Sequence, residues 1–402
     1  MRYRVSHAVG ALALPSLSSA TLLYVTSYTG TDPSAVPGAL TTLNLTISGY
    51  SAGSLQSIAT STECGAYPSW LTLVGSNLYC LDEAWNAPAN GSLVSFQITD
   101  GKLSLLDKVT TIGGPVSSVV YGADGHGLAV ADYGASGFNT FNIANPTHIV
   151  PIQASVWDLP QDQKDRNSAR QKSPHPHQAI LDPTGQFVLV PDLGFDRVHV
   201  FAVDRNNLKY TEQYPLLINP GSGPRHGVFV VAGTKILFYV IAELSNQILG
   251  YDVLYMADGT LGFEQVWTSS THGLNGTVPA GATGGEIAVS PDNKFLIVSS
   301  RNESSLSINN WDTTNSAKLP SDPLITFKID FETGALGPVQ TFAAGGLIPR
   351  HFSINKDGTL VASAAQQDGR VAIISRDPAS GVLKEYVANI AIANVNFAIF
   401  AE

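Results

Sequence analysis

The chain is poor in charged residues, in cysteine and in long apolar runs. Of its 402 residues only 13% are charged, whereas 37 are glycine and 23 are proline. This balance disfavours long solvated helices and favours many short strands joined by turns. The only two cysteines, Cys64 and Cys80, are too few for a zinc site, and they either close one disulfide or remain as two buried thiols. We therefore expect an all-β protein that does not depend on cysteine for its architecture.

Other missing features narrow the range of functions. The formal net charge is −10 and no basic run is present, which argues against a nucleic-acid partner. No internal stretch reaches the roughly 20 apolar residues that span a bilayer, so we expect no membrane partner. The sequence also has no Gly-x-Ser-x-Gly motif and no phosphate-cradling loop. A small molecule remains as the expected partner, and the sequence does not indicate an oligomeric state.

The N-terminal segment has the pattern of an export signal. Arg2 and Arg4 precede a mostly apolar stretch, and small residues follow near Ala20. We expect residues 1–20 to be a signal peptide and residues 21–402 to form one secreted, extracellular domain. Four N-glycosylation triplets agree with export and are located at Asn44, Asn90, Asn275 and Asn302.

A hairpin pattern recurs along the rest of the chain. Two apolar runs flank an Asp, Asn or Gly turn, as in the segments 177–192, 286–301 and 351–363. Such a pattern predicts a β-hairpin, and its repetition every 50 to 65 residues or so predicts a β-propeller. We count seven blades; the second to seventh start near residues 69, 117, 177, 225, 286 and 350. Blade one lacks an innermost strand and residues 394–400 lack a hairpin, so pairing the C-terminal strand into blade one would close the ring.

The hairpin ends place polar residues near the mouth of the central channel. Counting outward from each turn predicts the facing pairs Arg225 with Glu243, Glu286 with Arg301, His351 with Gln366, and His177 with Leu193. His177, Arg225, Glu243 and Arg301 should then converge from three consecutive blades. Two guanidinium groups can bind a carboxylate or an oxyanion, and Glu243 or His177 can serve as general base. The alternative is that these residues are structural ion pairs across hairpins.

The segment Pro176 to Val198 resembles the signature blade of the seven-bladed lactonase family. That family includes bacterial 6-phosphogluconolactonases and fungal carboxy-cis,cis-muconate cyclases. The motifs Gly223-Pro-Arg-His226, Glu243-Leu-Ser-Asn246, Ser300-Arg301 and Ile348-Pro-Arg-His-Phe352 follow in the family's order. The resemblance implies a seven-bladed fold, no metal and no cofactor.

By motif and order, the resemblance assigns the catalytic roles to His177, Arg225, Glu243 and Arg301. We expect six further residues to contact substrate: His175, His226, Glu286, Arg350, His351 and Gln366. The histidines 177, 226 and 351 lie in separate blades without metal-ligand spacing, so no metal is predicted.

Three functions remain open. The first is a secreted lactonase that hydrolyses a sugar-acid or related lactone, with Glu243 or His177 activating water. The second is a lactonising cycloisomerase, which the predicted export disfavours because the fungal cyclases work inside the cell. The third is a non-catalytic cell-wall or secreted glycoprotein with a binding role. A glycan on Asn302 would crowd Arg301, so either that triplet is unused or Arg301 points away from the pocket.

Overall fold

The computed structural model describes residues 19–30, 37–47, 53–85, 90–160 and 169–402. These residues form strands and turns without any helix, and none of their elements is a helix that could cross a membrane. Residues 1–18 of the expected signal peptide lie outside the described ranges. The first strand begins at Ser19, so its first two residues belong to the segment expected to be removed.

The first three blades each contain four antiparallel strands. Blade one consists, from the channel outward, of β31 (Val395–Phe400), β1 (Ser19–Ser27), β2 (Ala39–Ile47) and β3 (Ser54–Ser61). Blade two consists of β4 (Pro68–Val74), β5 (Asn77–Asp82), β6 (Ser92–Thr99) and β7 (Lys102–Thr110). Blade three consists of β8 (Pro115–Tyr121), β9 (Gly127–Asp132), β10 (Gly137–Asn142) and β11 (Val150–Val156).

The remaining blades keep this plan with local additions. Blade four consists of β12 (Ile180–Leu181), β13 (Phe187–Asp192), β14 (Arg197–Val203), β15 (Tyr210–Glu212) and β16 (Leu216–Leu217). Blade five consists of β17 (Pro224–Ala232), β18 (Lys235–Ala242), β19 (Gln247–Tyr255) and β20 (Leu261–Ser270). Blade six consists of β21 (Thr283–Val289), β22 (Phe295–Arg301), β25 (Pro323–Ile329) and β26 (Leu336–Ala343), with a small hairpin of β23 (Leu306–Ile308) and β24 (Leu319–Ser321). Blade seven consists of β27 (Pro349–Ile354), β28 (Leu360–Ala365), β29 (Arg370–Arg376) and β30 (Leu383–Ala391).

The predicted all-β, seven-bladed propeller is therefore confirmed, including its closure. β31 pairs antiparallel with β1, with Leu23 opposite Phe400 and Val25 opposite Ala398. The C-terminal strand thus supplies the innermost strand that blade one lacks, and the sheet edge of β1 is covered. The hairpin turns also lie where expected, and Gly185, Gly233 and Asn293 adopt the positive φ angles that such turns require.

The core is distributed between the blades rather than gathered at one centre. Within the described ranges, seven apolar clusters each join two neighbouring blades. The second strands β9, β13 and β22 are buried along their whole length, since both of their faces pack against adjacent blades. This burial on both faces explains why apolar residues follow one another in these strands instead of alternating with polar ones. Outer strands such as β7 are mostly exposed and carry polar residues.

The two cysteines lie in this core as a disulfide between Cys64 and Cys80. Cys80 belongs to β5, and Cys64 precedes β4 of the same blade. Of the two expectations for these residues, the structure therefore has the bridge.

Candidate active site

The innermost strands begin with a repeated irregularity that aims side chains into the channel. In blades two, three, five and seven the innermost strand begins with a proline. The pairing register with the next strand shifts between this proline and the second residue after it. The middle residue is extra relative to the neighbouring strand, which is a β-bulge. These middle residues are Ser69, Val116, Arg225 and Arg350. Pro176-His177-Gln178 has the same form just before β12, where Pro176 bridges Asp192.

Three of the four predicted facing pairs are wrong, because the strand starts are irregular. In blade six Thr283 pairs with Arg301 and Ile287 with Val298, so Glu286 does not face Arg301. In blade seven His351 pairs with Ala364 instead of Gln366. In blade four the His177 amide donates to the Pro191 carbonyl instead of facing Leu193. Symmetric counting from a turn fails because each bulge adds a residue on one strand only.

The fourth predicted pair is formed by side chains rather than by strand register. Pro224 pairs with Ala242 and Arg225 is the bulged residue. The Arg225 Nε nevertheless lies 3.1 Å from Oε2 of Glu243. The Nε–H of Arg225 makes no hydrogen bond. Its contact with Glu243 is therefore an ion pair without a hydrogen bond at this nitrogen.

Glu243 lies at the centre of a cluster of three arginines. Its Oε2 is 2.8 Å from a terminal nitrogen of Arg301, and its Oε1 is 2.7 Å from a terminal nitrogen of Arg170. Burial by itself would raise the pKa of Glu243, but Arg301, Arg225 and Arg170 outweigh it and lower that pKa to about 2. Glu243 is thus a permanent carboxylate whose two oxygens are both occupied by cations.

Arg225 and Arg301 are also fixed by backbone carbonyls. Arg225 donates to the Gly285 carbonyl and Arg301 to the Gly284 carbonyl, each at 2.7 Å. Arg225 is 2% exposed, and its burial together with Arg301 lowers its pKa to about 9. It stays charged at neutral pH and lies beneath the site surface.

A second chain of contacts leads to His177 and consists of polar rings and one carboxylate. Nδ1 of His177 is 3.0 Å from Nε2 of His226, and Nδ1 of His226 is 2.7 Å from Oε1 of Glu286. The other oxygen of Glu286 lies 3.7 Å from Nε2 of His351, which is too far for a hydrogen bond. The Ala398 amide donates to Nδ1 of His351. Glu286 therefore hydrogen-bonds His226, lies near His351 and does not pair with Arg301.

These contacts fix the tautomer of His177. Burial lowers the pKa of His226 to about 4 and, together with Arg225 and His226, lowers that of His177 well below its usual value, so both rings are neutral near pH 7. Because Glu286 can only accept, His226 carries its proton on Nδ1 and presents a lone pair on Nε2. His177 must then donate from Nδ1. Its Nε2 is left with a lone pair and has no hydrogen-bond partner among the described residues.

Two adjoining lobes of one cavity open at the channel mouth. The first, which we call the histidine lobe, has a volume of about 290 Å³. It is lined by Glu83, Trp85, Val116, Tyr133, Arg170, His177, Glu243, Thr283, Arg301, Asn302, Ile348, Arg350 and Gln366. The second, which we call the tyrosine lobe, has about 340 Å³ and is lined by Tyr28, Thr29, Tyr67, Glu83, Trp85, Arg350, Gln366 and Asn394.

The structure divides the ten predicted site residues into three groups. His177, Glu243, Arg301, Arg350 and Gln366 line the histidine lobe. Beneath it, Arg225, His226, Glu286 and His351 line the narrow channel, which has only about 10 Å³ of free volume. His175 lines neither lobe.

His175 instead holds the segment that carries His177. Its ring stacks on Tyr133 at 4.1 Å, and its amide donates to Asp192. Asp192 Oδ1 also accepts the amides of Gly194 and Phe195, so one buried carboxylate shapes the turn.

The channel floor is closed by aromatic rings. Trp70 lies edge-on to His226 and to His351, at 5.8 and 5.5 Å between ring centroids. Phe397 stacks on His351 at 3.8 Å. Below the histidine lobe, the rings of His226 and His351 are therefore packed against aromatic side chains.

Sequence reasoning missed several lining residues. Arg170 reaches the site from the connection between β11 and β12, and Thr283 is the first residue of β21. Glu83 and Tyr28 form a further buried pair, in which the Tyr28 hydroxyl donates to Glu83 Oε2 at 2.5 Å. Tyr28 directly follows β1 in blade one, and Glu83 directly follows β5 in blade two. The signature motifs do not extend to these blades. Arg350 was predicted as a site residue, but its place in a bulge was not; the proline that recurs at the strand starts is the signal for that bulge.

No group of three or more histidine, cysteine or acidic residues within the described ranges is arranged to hold a metal ion. Glu243 is paired with arginines, Glu286 with His226 and Glu83 with Tyr28 instead.

Comparisons with known proteins agree with this architecture. The chain matches the family described as "Lactonase, 7-bladed beta-propeller" over residues 22–400. It is 29% identical to a protein of Arthroderma benhamiae named "Probable 6-phosphogluconolactonase" over 355 residues, which is 84% of each chain. It is 25% identical over 316 residues to a protein of Formosa agariphila named "6-phosphogluconolactonase", covering 77% of this chain and 81% of that one.

Among solved structures, a periplasmic gluconolactonase of Pseudomonas aeruginosa superposes with a TM-score of 0.74 at 23% identity, covering 96% of this chain and 99% of the other. At that identity the likeness shows the fold. The family match spans nearly the whole propeller. The chain therefore belongs to the seven-bladed β-propeller lactonase family and to the enzymes that hydrolyse lactones.

Proposed function

We propose that this protein is an exported lactonase that opens a sugar-acid lactone in the histidine lobe. One observation carries the proposal: His177 lines the lobe with a free lone pair on Nε2, beside Arg301 and Arg350. A base next to fixed cations suits attack of water on an ester carbonyl. The names of the two relatives as 6-phosphogluconolactonases support a sugar-acid substrate.

His177 rather than Glu243 is the base in this proposal. Both oxygens of Glu243 are held in ion pairs and its pKa is about 2, so it cannot take up a proton near neutral pH. His177 is neutral and has one unused nitrogen. Glu286 and His226 act on His177 as positioning residues, since they hold its proton on Nδ1.

The reaction then needs no group outside the site. Water attacks the lactone carbonyl carbon while its proton moves to Nε2 of His177, and the carbonyl oxygen becomes an oxyanion. Arg301 and Arg350 stabilise that charge, because both line the lobe whereas Arg225 lies beneath it. When the ring C–O bond breaks, the same proton passes from His177 to the leaving oxygen. The product is a hydroxy acid.

Export is the second part of the proposal. The disulfide supports it because such bonds persist in oxidising compartments. Asn90 and Asn275 are exposed and accessible to glycosylation, whereas Asn302 lines the histidine lobe beside Arg301. We propose that Asn302 is left unmodified. Sequencing the N-terminus of secreted protein and mapping its glycans would test both points; retention in the cell would contradict export.

The activity test compares the wild type with His177→Gln on glucono-1,5-lactone and its 6-phosphate, corrected for spontaneous hydrolysis. We expect kcat to fall by about 10²- to 10⁴-fold in the variant. The matched control is His148→Gln, because His148 is exposed on a loop of blade three. Equal activity in the wild type and His177→Gln would refute the role of His177. Cyclisation of 3-carboxy-cis,cis-muconate without hydrolysis of either lactone would overturn the proposed reaction.

A further inference from the structure

The tyrosine lobe is as large as the histidine lobe, and the reaction proposed above does not use it. Four residues line both lobes, namely Glu83, Trp85, Arg350 and Gln366. The two volumes, about 290 and 340 Å³, therefore adjoin along these four residues, which form their shared border. A ligand whose reacting ring lies beside His177 can extend across this border.

The tyrosine lobe is lined by amphipathic groups. Tyr28, Tyr67 and Trp85 supply aromatic faces, while Thr29 and Asn394 supply polar atoms. The rings of Tyr28 and Tyr67 meet edge to face with centroids 5.8 Å apart. Trp85 is 51% exposed, which is unusual for so large a side chain. Flat faces edged by hydrogen-bonding groups suit a ring that has both C–H and hydroxyl surfaces.

Glu83 and Arg350 at the border are both hydrogen-bonded to one tyrosine, which disfavours an ionic ligand in this lobe. The Tyr28 hydroxyl donates to Glu83 and accepts a bond of 3.3 Å from Arg350. The guanidinium of Arg350 also lies 5.6 Å from the centre of the Tyr28 ring. The Tyr28 hydroxyl thus bridges Glu83 and Arg350, and both of these residues line the two lobes. The other two arginines at the cavity, Arg170 and Arg301, pair with Glu243 and line only the histidine lobe.

We propose that the tyrosine lobe binds a neutral sugar ring, and that the substrate is a two-ring lactone: an aldonolactone that carries a glycosyl substituent. This inference rests on the proposed lactonase function. The lactone ring occupies the histidine lobe, where His177, Arg301 and Arg350 act on its carbonyl. The glycosyl ring packs on Tyr67 and Trp85 and bonds to Gln366 and Asn394.

The test measures kcat/KM for cellobiono-1,5-lactone, which has two rings, and for glucono-1,5-lactone, which has one. The wild type should prefer the two-ring lactone by about tenfold or more, and Tyr67→Ala should lose most of that preference. Trp85→Ala serves as a second variant because the exposed side chain of Trp85 can be removed without a cavity. Tyr214→Ala is the matched control, since Tyr214 is 91% exposed on blade four and should leave the preference unchanged.

The outcomes separate the two proposals. If the one-ring lactone is hydrolysed as well as the two-ring lactone, and the Tyr67 and Trp85 variants keep the same ratio, the inference is wrong while the lactonase function stands. If an aryl-substituted lactone is preferred to both, the lobe is not a sugar site. If no lactone is hydrolysed, the proposed function itself fails.

Discussion

Replacing Glu243 by glutamine removes the negative charge that Arg170, Arg225 and Arg301 share while keeping the size of the side chain. Arg225 is 2% exposed and its guanidinium would remain buried beside Arg301. Breaking a buried pair by removing one partner typically costs about 3–5 kcal/mol. We therefore expect Glu243→Gln to lower the free energy of unfolding at pH 7 by that order.

The pKa of Glu243 gives an independent magnitude. It falls from 4.5 to about 2 on folding, and a shift of that size corresponds to about 3 kcal/mol. Because the folded pKa is the lower one, this contribution is present above pH 4.5 and is lost as the pH falls toward 2. The gap in stability between the wild type and Glu243→Gln should therefore be constant from pH 7 to about 4.5 and then close.

Urea unfolding at a series of pH values measures both quantities. Glu385→Gln is the control, because Glu385 is exposed on the outer strand β30. A loss below about 0.5 kcal/mol, or a gap that does not change below pH 4.5, would refute the reasoning that Glu243 is the counter-ion of the arginine cluster.

Three further predictions concern the site and the scaffold. His226→Phe removes the acceptor for Nδ1–H of His177, so kcat should fall by about tenfold or more with little change in KM, and equal kcat would contradict the positioning role of His226. His199, buried between Asp192 and Glu212, keeps a raised pKa because their hydrogen bonds outweigh the effect of burial. Its contribution is complete below pH 6.5 and is lost as the pH rises through the folded pKa, so His199→Gln should destabilise most in acid; a loss that grows with pH would contradict this. Cys64→Ser with Cys80→Ser opens a loop of sequence separation 16, which should lower the free energy of unfolding by about 3 kcal/mol; wild type in reductant should match the double variant.

Much of the fold could be predicted because it depends on local patterns. The apolar runs around Gly185 and Asn293 formed hairpins with turns at those residues, and the unpaired run before Phe400 closed the ring with β1. The convergence of His177, Glu243 and Arg301 also followed, since hairpin ends in neighbouring blades meet at one face.

The partners of individual side chains could not be predicted in the same way. Glu286 was expected to face Arg301, yet one bulge turns it toward His226 and His351. A bulge shifts the register by a single residue and leaves little trace in hydrophobic periodicity. Arg170 was missed as a site residue because it comes from an irregular connection, whose course no strand pattern determines.

The sequence by itself determined the repeat, the number of blades and the pairing of the two chain ends, because strand periodicity and turn residues are read over a few positions. Only the tertiary structure decided which charges neutralise one another. It paired Glu243 with three arginines and Glu286 with His226, and it left Nε2 of His177 without a hydrogen-bond partner among the described residues. Those assignments depend on distances of a few ångströms between blades that are far apart in the chain, which the closed ring alone brings together.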